Sequence, residues 1–330
     1  MDVDHGWVIT DGAAGNERQA LALAQALGIE TRVLRLAPRA PWAWFAPRLA
    51  LGGRLALAPA ERAAFAPPWP DLAIGCGRAA ALCTRLLRAL SGGRTFCVQI
   101  LDPRTDPRHW DVVVAPQHDG LAGANVLRPL GSLNPVDDAW LAEGREACPT
   151  LADLPAPRIA VLLGGPRRGI ALDTAYAGRL VATLRARHAR EGGSVLASAS
   201  RRTPAELTGK LRAALAGIPG LFWAGEADGP NPYAGLLGWA DRLVVTPDSV
   251  NMLSEACATG RPVHTLVAAP LPDRLARFHA ALRARGLLHD LDADAPPPAS
   301  PLRETARIAA EVRARYAAHR AGILEKGGGE

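Results

Sequence analysis

Short apolar runs alternate along the chain with longer stretches in which apolar residues recur every three or four positions. The runs suit buried parallel strands, and the periodic stretches suit helices with one apolar face. The pattern predicts strands at Trp7–Thr10, Thr31–Leu36, Leu72–Ile74, Thr95–Leu101 and Asp111–Ala115, with helices at Glu17–Leu27 and Ala79–Leu90. Prolines at 129, 135, 149, 155 and 157 then loosen the pattern around one short helix near Asp138–Ala147, as in a linker between domains. Strands resume at Arg158–Leu163, Ser194–Ala199, Leu221–Ala224, Leu243–Val245 and Val263–Val267. Helices are predicted at Asp173–Glu191, Ala205–Leu215, Ala234–Ala240 and Pro272–Arg285, with a basic last helix at Leu302–Ala321. The Gly-Gly-Gly-Glu tail is expected to be disordered. Two series of alternating strands and helices predict an α/β chain of two doubly wound, Rossmann-like domains, 1–150 and 151–300, facing each other across a cleft. No internal repeat is evident.

Polar residues that follow the C-terminal ends of parallel strands sit where such sheets bind ligands. In the first half these are Asp11 to Asn16, Gly75 to Arg78, Asp102 to Arg104, and Pro116 to Gly120. Asp11, at a strand tip, and His118 beside Asp119 are candidate acid/base groups. Ordinary surface polar residues would read the same way. In the second half, Gly164-Gly165-Pro166-Arg167-Arg168-Gly169 has glycines that expose backbone donors beside two arginines, a turn suited to phosphate. Ser200-Arg201-Arg202-Thr203 places two guanidinium groups and two hydroxyls at a helix start. Pro247-Asp248-Ser249 breaks a strand, and Asp248 or Ser249 is suited to cap the helix that Gly260 ends. Glu255 lies about two turns into that helix, where its carboxylate can accept bonds from a ribose or stand solvated. The GxGxxG fingerprint is absent after the first strand, and no GK[ST] follows Gly169.

The segment TPDSVNMLSEACATGRPV resembles the donor-binding segment of two-domain GT-B glycosyltransferases. Together with TDGAAGNERQ, PDLAIGCGR, QILDPR, PQHDG, LLGGPRRG and SASRRTP it resembles, over most of the chain, the mitochondrial fission (elongated-mitochondria) family, also described as glycosyltransferases. The resemblance implies a donor side in the second domain comprising Gly164, Gly165, Arg167, Ser200, Arg201, Arg202, Thr203, Asp248, Ser249, Asn251 and Glu255. It implies an acceptor side in the first comprising Gly12, Gly15, Asn16, Gly77, Asp102 and Asp119. It also implies that the last helix packs back on the first domain.

Length and charge refine this picture. At 330 residues, 48% of them apolar, the chain can build two cores. Its 38 basic residues against 32 acidic give +6, and Lys210 and Lys326 are the only lysines. Arginine's planar fork favours phosphate, but no continuous basic stripe interleaved with aromatics suggests nucleic acid. Five cysteines without a CxxC pair read as buried thiols in a reducing compartment. The N-terminus MDVDHGWVIT has no long apolar core and no run of about 18 apolar residues occurs, so neither a signal peptide nor a spanning helix is expected. The expected location is cytoplasmic. Trp42, Trp44, Phe45 and Leu49, with Arg48 and Arg54, suit either an anionic membrane surface or a helix packed under the first domain. Asp292-Ala293-Asp294 has the spacing of a metal-binding DxD but lies by a proline-rich spacer and reads as a solvated turn; no metal and no cofactor are expected.

The expected activity is metal-independent sugar transfer from a nucleoside-diphosphate sugar to an acceptor hydroxyl on a lipid-linked or envelope glycan. Arg201 and Arg202 would stabilise the leaving diphosphate, and Asp11 or His118 would act as base. An epimerase of sugar nucleotides and a non-catalytic membrane-associated scaffold are the competing expectations.

Overall fold

The apolar runs of the first half pair into one parallel sheet. In the computed structural model, which describes residues 5–327, β1 (Gly6–Thr10), β2 (Thr31–Arg35), β3 (Leu72–Cys76), β4 (Phe96–Ile100), β5 (Val112–Val114) and β6 (Val126–Leu127) take the order β2-β1-β3-β4-β5-β6. Val8 stands opposite Val33 on one side and Ile74 on the other. β1, β3, β4 and β5 are buried at every position, which is why their sequences are near-continuous apolar runs, broken by Thr10 and Gln99, rather than alternating. The crossovers carry α1 (Ala14–Leu27), the short α2 (Trp42–Phe45) and α3 (Pro59–Ala64), and α4 (Arg78–Leu90). One face of the sheet packs Ile9, Phe65, Leu82 and Trp110. Trp110 is almost fully buried, and its indole N–H donates to Thr84 Oγ1 at 2.8 Å.

The second half begins with α5 (Asp138–Ala147) and forms a second parallel sheet. Its strands are β7 (Arg158–Leu163), β8 (Ser194–Ala199), β9 (Gly220–Trp223), β10 (Arg242–Val245), β11 (Val263–Thr265) and β12 (His289–Asp290). They take the order β12-β11-β10-β7-β8-β9. Between them run α6 (Thr174–Glu191), α7 (Ala205–Leu215), α8 (Tyr233–Trp239), α9 (Val250–Ala258) and α10 (Asp273–Ala284).

Compactness divides the chain into one unit that runs to Pro135 and resumes at Glu304, and another of Val136–Arg303. The returning helix, α11 (Thr305–Gly327), closes the other face of the first sheet: Ile308, Val312 and Tyr316 join Val8, Leu23, Ile74 and Val98. Tyr316 meets Phe96 edge-on at 5.6 Å between ring centres. Glu304 Oε2 accepts the Leu130 N–H at 2.6 Å and Thr305 Oγ1 donates to Asn134 O at 2.8 Å, pinning the return.

The stretch 129–157, read as a linker, is packed from Val136 onward. A Cβ on Gly144 would stand 2.5 Å from Ala234 O, and one on Gly238 would stand 2.7 Å from Leu141 O, so α5 and α8 touch backbone to backbone. The prolines there stiffen turns in a packed segment instead of marking a loose one. β6 and β12, two residues each, are too short for a visible apolar run. Residues 1–4 and the tail residues 328–330 lie outside the described residues.

Two buried histidines give the second unit a pH dependence. His264 Nδ1 donates to Asp290 O and His279 Nε2 donates to Pro247 O, each at 3.0 Å. Burial pushes both from the ordinary 6.5 down to about 4. Between these values the unfolded chain binds protons that the folded chain refuses, so stability is full above pH 6.5 and falls as pH drops toward 4. Thermal unfolding should therefore occur at lower temperature at pH 5 than at pH 7, and a His264→Asn/His279→Gln variant should show a smaller difference. An unchanged difference in that variant would assign the acid sensitivity to other groups.

Candidate functional site

Sheet order decides where a ligand can sit. In the second sheet the chain reverses direction between β7 and β10, and in the first between β1 and β3. Sheets of this kind bind ligands outside the C-terminal ends of the strands at such reversals.

At the second reversal the organising group is Asp248, whose carboxylate is removed from solvent. Thr246 Oγ1 donates to Asp248 Oδ1 at 2.7 Å and accepts the Gly164 N–H at 2.7 Å. The Gly165 N–H donates to Asp248 Oδ2 at 3.1 Å, and Arg202 Nη2 donates to the same oxygen at 3.3 Å. Arg167 Nη1 donates to the Asp248 carbonyl at 2.8 Å. One residue thus ties together the turns after β7, β8 and β10. The arrangement requires Gly164, since a Cβ there would stand 2.2 Å from Asp248 Oδ1. It requires Gly165 as well, where a Cβ would stand 2.4 Å from Arg202 Cβ.

This corrects the expectation for the glycine turn and decides between the two candidate caps. Gly164 and Gly165 are buried and spend their N–H groups on Thr246 and Asp248, so the turn does not offer them to an anion. Asp248 does not cap α9. Ser249 does, accepting the Met252 N–H at 3.3 Å. What faces solvent are the guanidinium groups: Arg167, Arg201 and Arg202 are exposed, and a guanidinium has donors to spare beyond one bond. Thr203 and Ser200 are also structural, Thr203 Oγ1 donating to Gly164 O at 2.7 Å and lying 3.1 Å from Ser200 Oγ. Asn251 is half-buried in the first turn of α9.

Glu255 is buried rather than solvated, and its Oε2 accepts the Tyr233 hydroxyl. Tyr233 opens α8, where Asn231 Oδ1 accepts its N–H at 3.0 Å. Nearby, a cavity of about 120 Å³ is lined by Ile170, Tyr176, Arg179, Pro247, Ala268 and Leu271. Burial, together with the negative Asp248, pushes the Tyr176 phenol up, so it stays a neutral donor.

In the first unit, the Asp11 loop and Gly77 converge at the β1/β3 reversal. Asp11 is exposed and its Oδ1 accepts the Ala13 N–H and the Asn16 amide, both at 3.1 Å. A Cβ on Gly77, whose φ is +91°, would stand 2.5 Å from Asn16 Nδ2 and 3.7 Å from Asp11 Oδ2. Gly12 takes φ +78°, and Gly15 accepts the Gln19 amide through its carbonyl at 3.3 Å. Behind the loop, Thr10 Oγ1 accepts the Gly12 N–H and donates to Glu17 Oε2, each at 3.2 Å. Arg35 clamps Glu17 through bonds of 2.8 and 2.6 Å and holds its carboxyl below the usual range.

The His118–Asp119 pair stands apart from this group, after β5, two strands beyond β3. His118 Nε2 lies 3.6 Å from Asp119 Oδ1 and both side chains are buried, so they face each other instead of solvent. Asp102, after β4, accepts the Arg104 N–H at 2.7 Å in a turn where Leu101 and Arg104 take φ of +72° and +57°. Such conformations cost on the order of 1 kcal/mol or more each.

Thr246, Tyr233, Glu17 and Arg35 escaped the sequence reading. Thr246 had a signal, a hydroxyl at a strand end before Pro247. Tyr233 meets Glu255 across 22 positions, with no local cue. Asp294 is exposed but pairs with Arg187 and Arg190 at 3.5 and 3.7 Å. Among the described residues no group of three or more His, Cys, Asp or Glu is placed to hold a metal ion.

The family model described as Mitochondrial fission ELM1 matches residues 14–316. Mitochondrial fission protein ELM1 of Arabidopsis thaliana is 31% identical over 278 residues, which cover 76% of this chain and 64% of that protein. The chain thus spans just under two thirds of its curated relative. Among solved structures, UDP-GlcNAc 2-epimerase from Neisseria meningitidis, bound to UDP-GlcNAc, is similar with a TM-score of 0.54 at 11% identity, covering 94% of this chain and 100% of the other. The glycosyltransferase SnogD from Streptomyces nogalater is similar with a TM-score of 0.50 at 18% identity, covering 98% and 99%. These likenesses establish a GT-B-type fold and nothing finer.

The packing around Asp248 predicts opposite outcomes for two glycines. Gly164→Ala should cost about 1–3 kcal/mol, because the new methyl meets a carboxylate that cannot move away. Gly209→Ala, in α7 with open space around it, should gain up to about 1 kcal/mol from helix propensity. Chemical denaturation compares the two. Equal stability for both variants would contradict the close approach at Gly164.

Proposed function

The chain belongs to the mitochondrial fission ELM1 family, and from that premise we propose that it transfers a sugar from a nucleoside-diphosphate sugar to an acceptor hydroxyl. The observation that carries this reading is the group of exposed arginines held around Asp248, where α9 begins, with buried Glu255 further along the same helix. In transfer, the acceptor oxygen forms a bond to the anomeric carbon while that carbon's bond to the diphosphate breaks. The leaving nucleoside diphosphate gains negative charge. Arg167, Arg201, Arg202 and the N-terminal end of α9 supply positive potential there, already oriented before the charge develops. This is the part a divalent metal plays in other transferases, and the reading assigns it to the chain's own groups.

Glu255, oriented by Tyr233, is the group we assign to the ribose hydroxyls. The cavity bordered by Pro247 and Tyr176 is the volume we assign to the sugar. We assign the acceptor proton to Asp11 rather than His118, because Asp11 is exposed and held by Ala13 and Asn16, whereas His118 is enclosed with Asp119. An epimerase of the same fold would need its base at the donor sugar and no acceptor, so the identity of the product separates the two activities.

Two variant pairs test the reading. Glu255→Gln and Tyr233→Phe should each weaken binding of a nucleoside diphosphate while leaving pyrophosphate binding nearly unchanged; equal losses for both ligands would remove the ribose role. Asp11→Asn should lower sugar transfer by about 10²-fold or more, the usual contribution of a general base, with nucleotide affinity retained. Loss of the rate in His118→Asn but not in Asp11→Asn would move the base to His118. A chelator should leave turnover intact, and inhibition relieved by added divalent ions would contradict the metal-independent step. An epimerised sugar nucleotide formed without any acceptor would replace transfer by epimerisation.

A further inference from the structure

Residues 42–55 form an excursion from the first sheet that the core does not absorb. Trp44, Phe45, Leu51 and Leu55 are 72%, 57%, 87% and 54% exposed, four of the seven large apolar side chains exposed among the described residues. Trp42 is half-buried, and its indole N–H donates to Leu51 O at 2.9 Å. That bond holds Leu51 out on the rim of the next turn. The excursion is therefore shaped, with its apolar side chains outward.

Its charge is one-sided. From Trp42 to Leu55 the chain carries two arginines, Arg48 and Arg54, and no Asp or Glu. Arg48 and Arg54 are exposed within the excursion itself. Apolar side chains flanked by two cations match the acyl boundary and headgroups of an anionic bilayer; a protein groove of the same sign pattern would need acidic walls with an apolar floor.

Position links this patch to the acceptor loop. Arg78 Nη2 donates to Ala43 O at 3.4 Å, and Arg78 directly follows Gly77, which adjoins Asp11. Arg48 Nη2 donates to Arg104 O at 3.1 Å, in the turn after β4, and Arg85 Nη1 donates to Pro47 O at 2.9 Å. The excursion is thus fastened to the C-terminal ends of β3 and β4, on the rim where Asp11 is presented.

We propose that residues 42–55 seat the first unit on an anionic lipid bilayer, so that the Asp11 loop receives acceptor hydroxyls borne by membrane lipids. The choice of acceptor rests on the sugar-transfer reading above; the bilayer contact does not. Two arginines near a charged surface contribute about fivefold each in affinity, the factor that about 1 kcal/mol gives, so binding is reversible and salt-sensitive.

The test is co-sedimentation of the full chain with phosphatidylglycerol/phosphatidylcholine vesicles and with pure phosphatidylcholine vesicles, at low and high salt, without nucleotide. Wild type should pellet with the anionic vesicles at low salt and release at high salt. Trp44→Ser/Phe45→Ser/Leu51→Ser should bind about tenfold or more weakly, three interfacial apolar groups being removed. Arg54→Glu, which leaves the fastening bonds of Arg48, Arg78 and Arg85 in place, should weaken the preference for anionic vesicles while keeping the wild-type melting temperature. Wild-type protein that stays in the supernatant at low salt, or a triple serine variant that binds as wild type does, would overturn the proposal. Because no nucleotide is present, failure here is distinct from failure of the transferase reading, which nucleotide binding decides.

Discussion

A carboxylate taken out of water must be given partners or the fold does not form around it. Asp248 is such a group, and its partners come from the ends of three strands. Thr246, from its own turn, and Gly165, from the turn after β7, satisfy it from inside. Arg202, from the turn after β8, reaches it from the solvent side. The need to satisfy one buried charge therefore sets the approach of all three turns. That approach leaves Gly164 and Gly165 no room for a side chain, and it holds Arg202 and Arg167 with the rest of their donors outward. The outward-facing guanidinium groups of Arg167 and Arg202 are a by-product of how a buried anion is satisfied.

The first sheet reaches a similar end by different means. At its β1/β3 reversal the charged group behind the loop is Glu17, whose side chain keeps 18% exposure where that of Asp248 keeps none. Glu17, clamped by Arg35, receives the Thr10 hydroxyl, and Thr10 in turn fixes Gly12. Asp11 is left at the surface, oriented by two donors and open to a ligand. Both units thus build a rigid platform from groups that never meet solvent fully, and expose on it the groups suited to chemistry.

The fold was largely legible because parallel strands buried on both faces leave unbroken apolar runs. β7, β8 and α7 lie at the residues where the pattern put them. The pattern failed where burial is achieved without apolar side chains. Residues 136–157 look like a linker because Gly144 there, and Gly235 and Gly238 in the facing α8, contribute contact through their lack of a side chain, which hydropathy does not register. The candidate site was legible as a set of turns but not as roles. Sequence placed Gly164, Asp248 and Ser249 together in expectation, yet it could not say that the glycines give up their donors to Asp248 or that Ser249 alone caps α9. Those distinctions depend on distances between turns separated by about eighty residues. Trp42 and Trp44 show the same limit, since two residues of spacing sent one inward and one outward.

The account stands or falls on whether the surface above Asp248 takes a nucleoside diphosphate. Thermal unfolding of the full chain in the presence of a panel of nucleoside diphosphates and the matching monophosphates measures this directly. A ligand at a hundredfold its dissociation constant stabilises by about 2.7 kcal/mol if it binds only the folded state. At least one nucleoside diphosphate should raise the melting temperature, and its monophosphate should raise it less because it lacks the second phosphate, which the proposed reading assigns to Arg167, Arg201 and Arg202. No rise with any member of the panel, or equal rises for diphosphate and monophosphate, would contradict it.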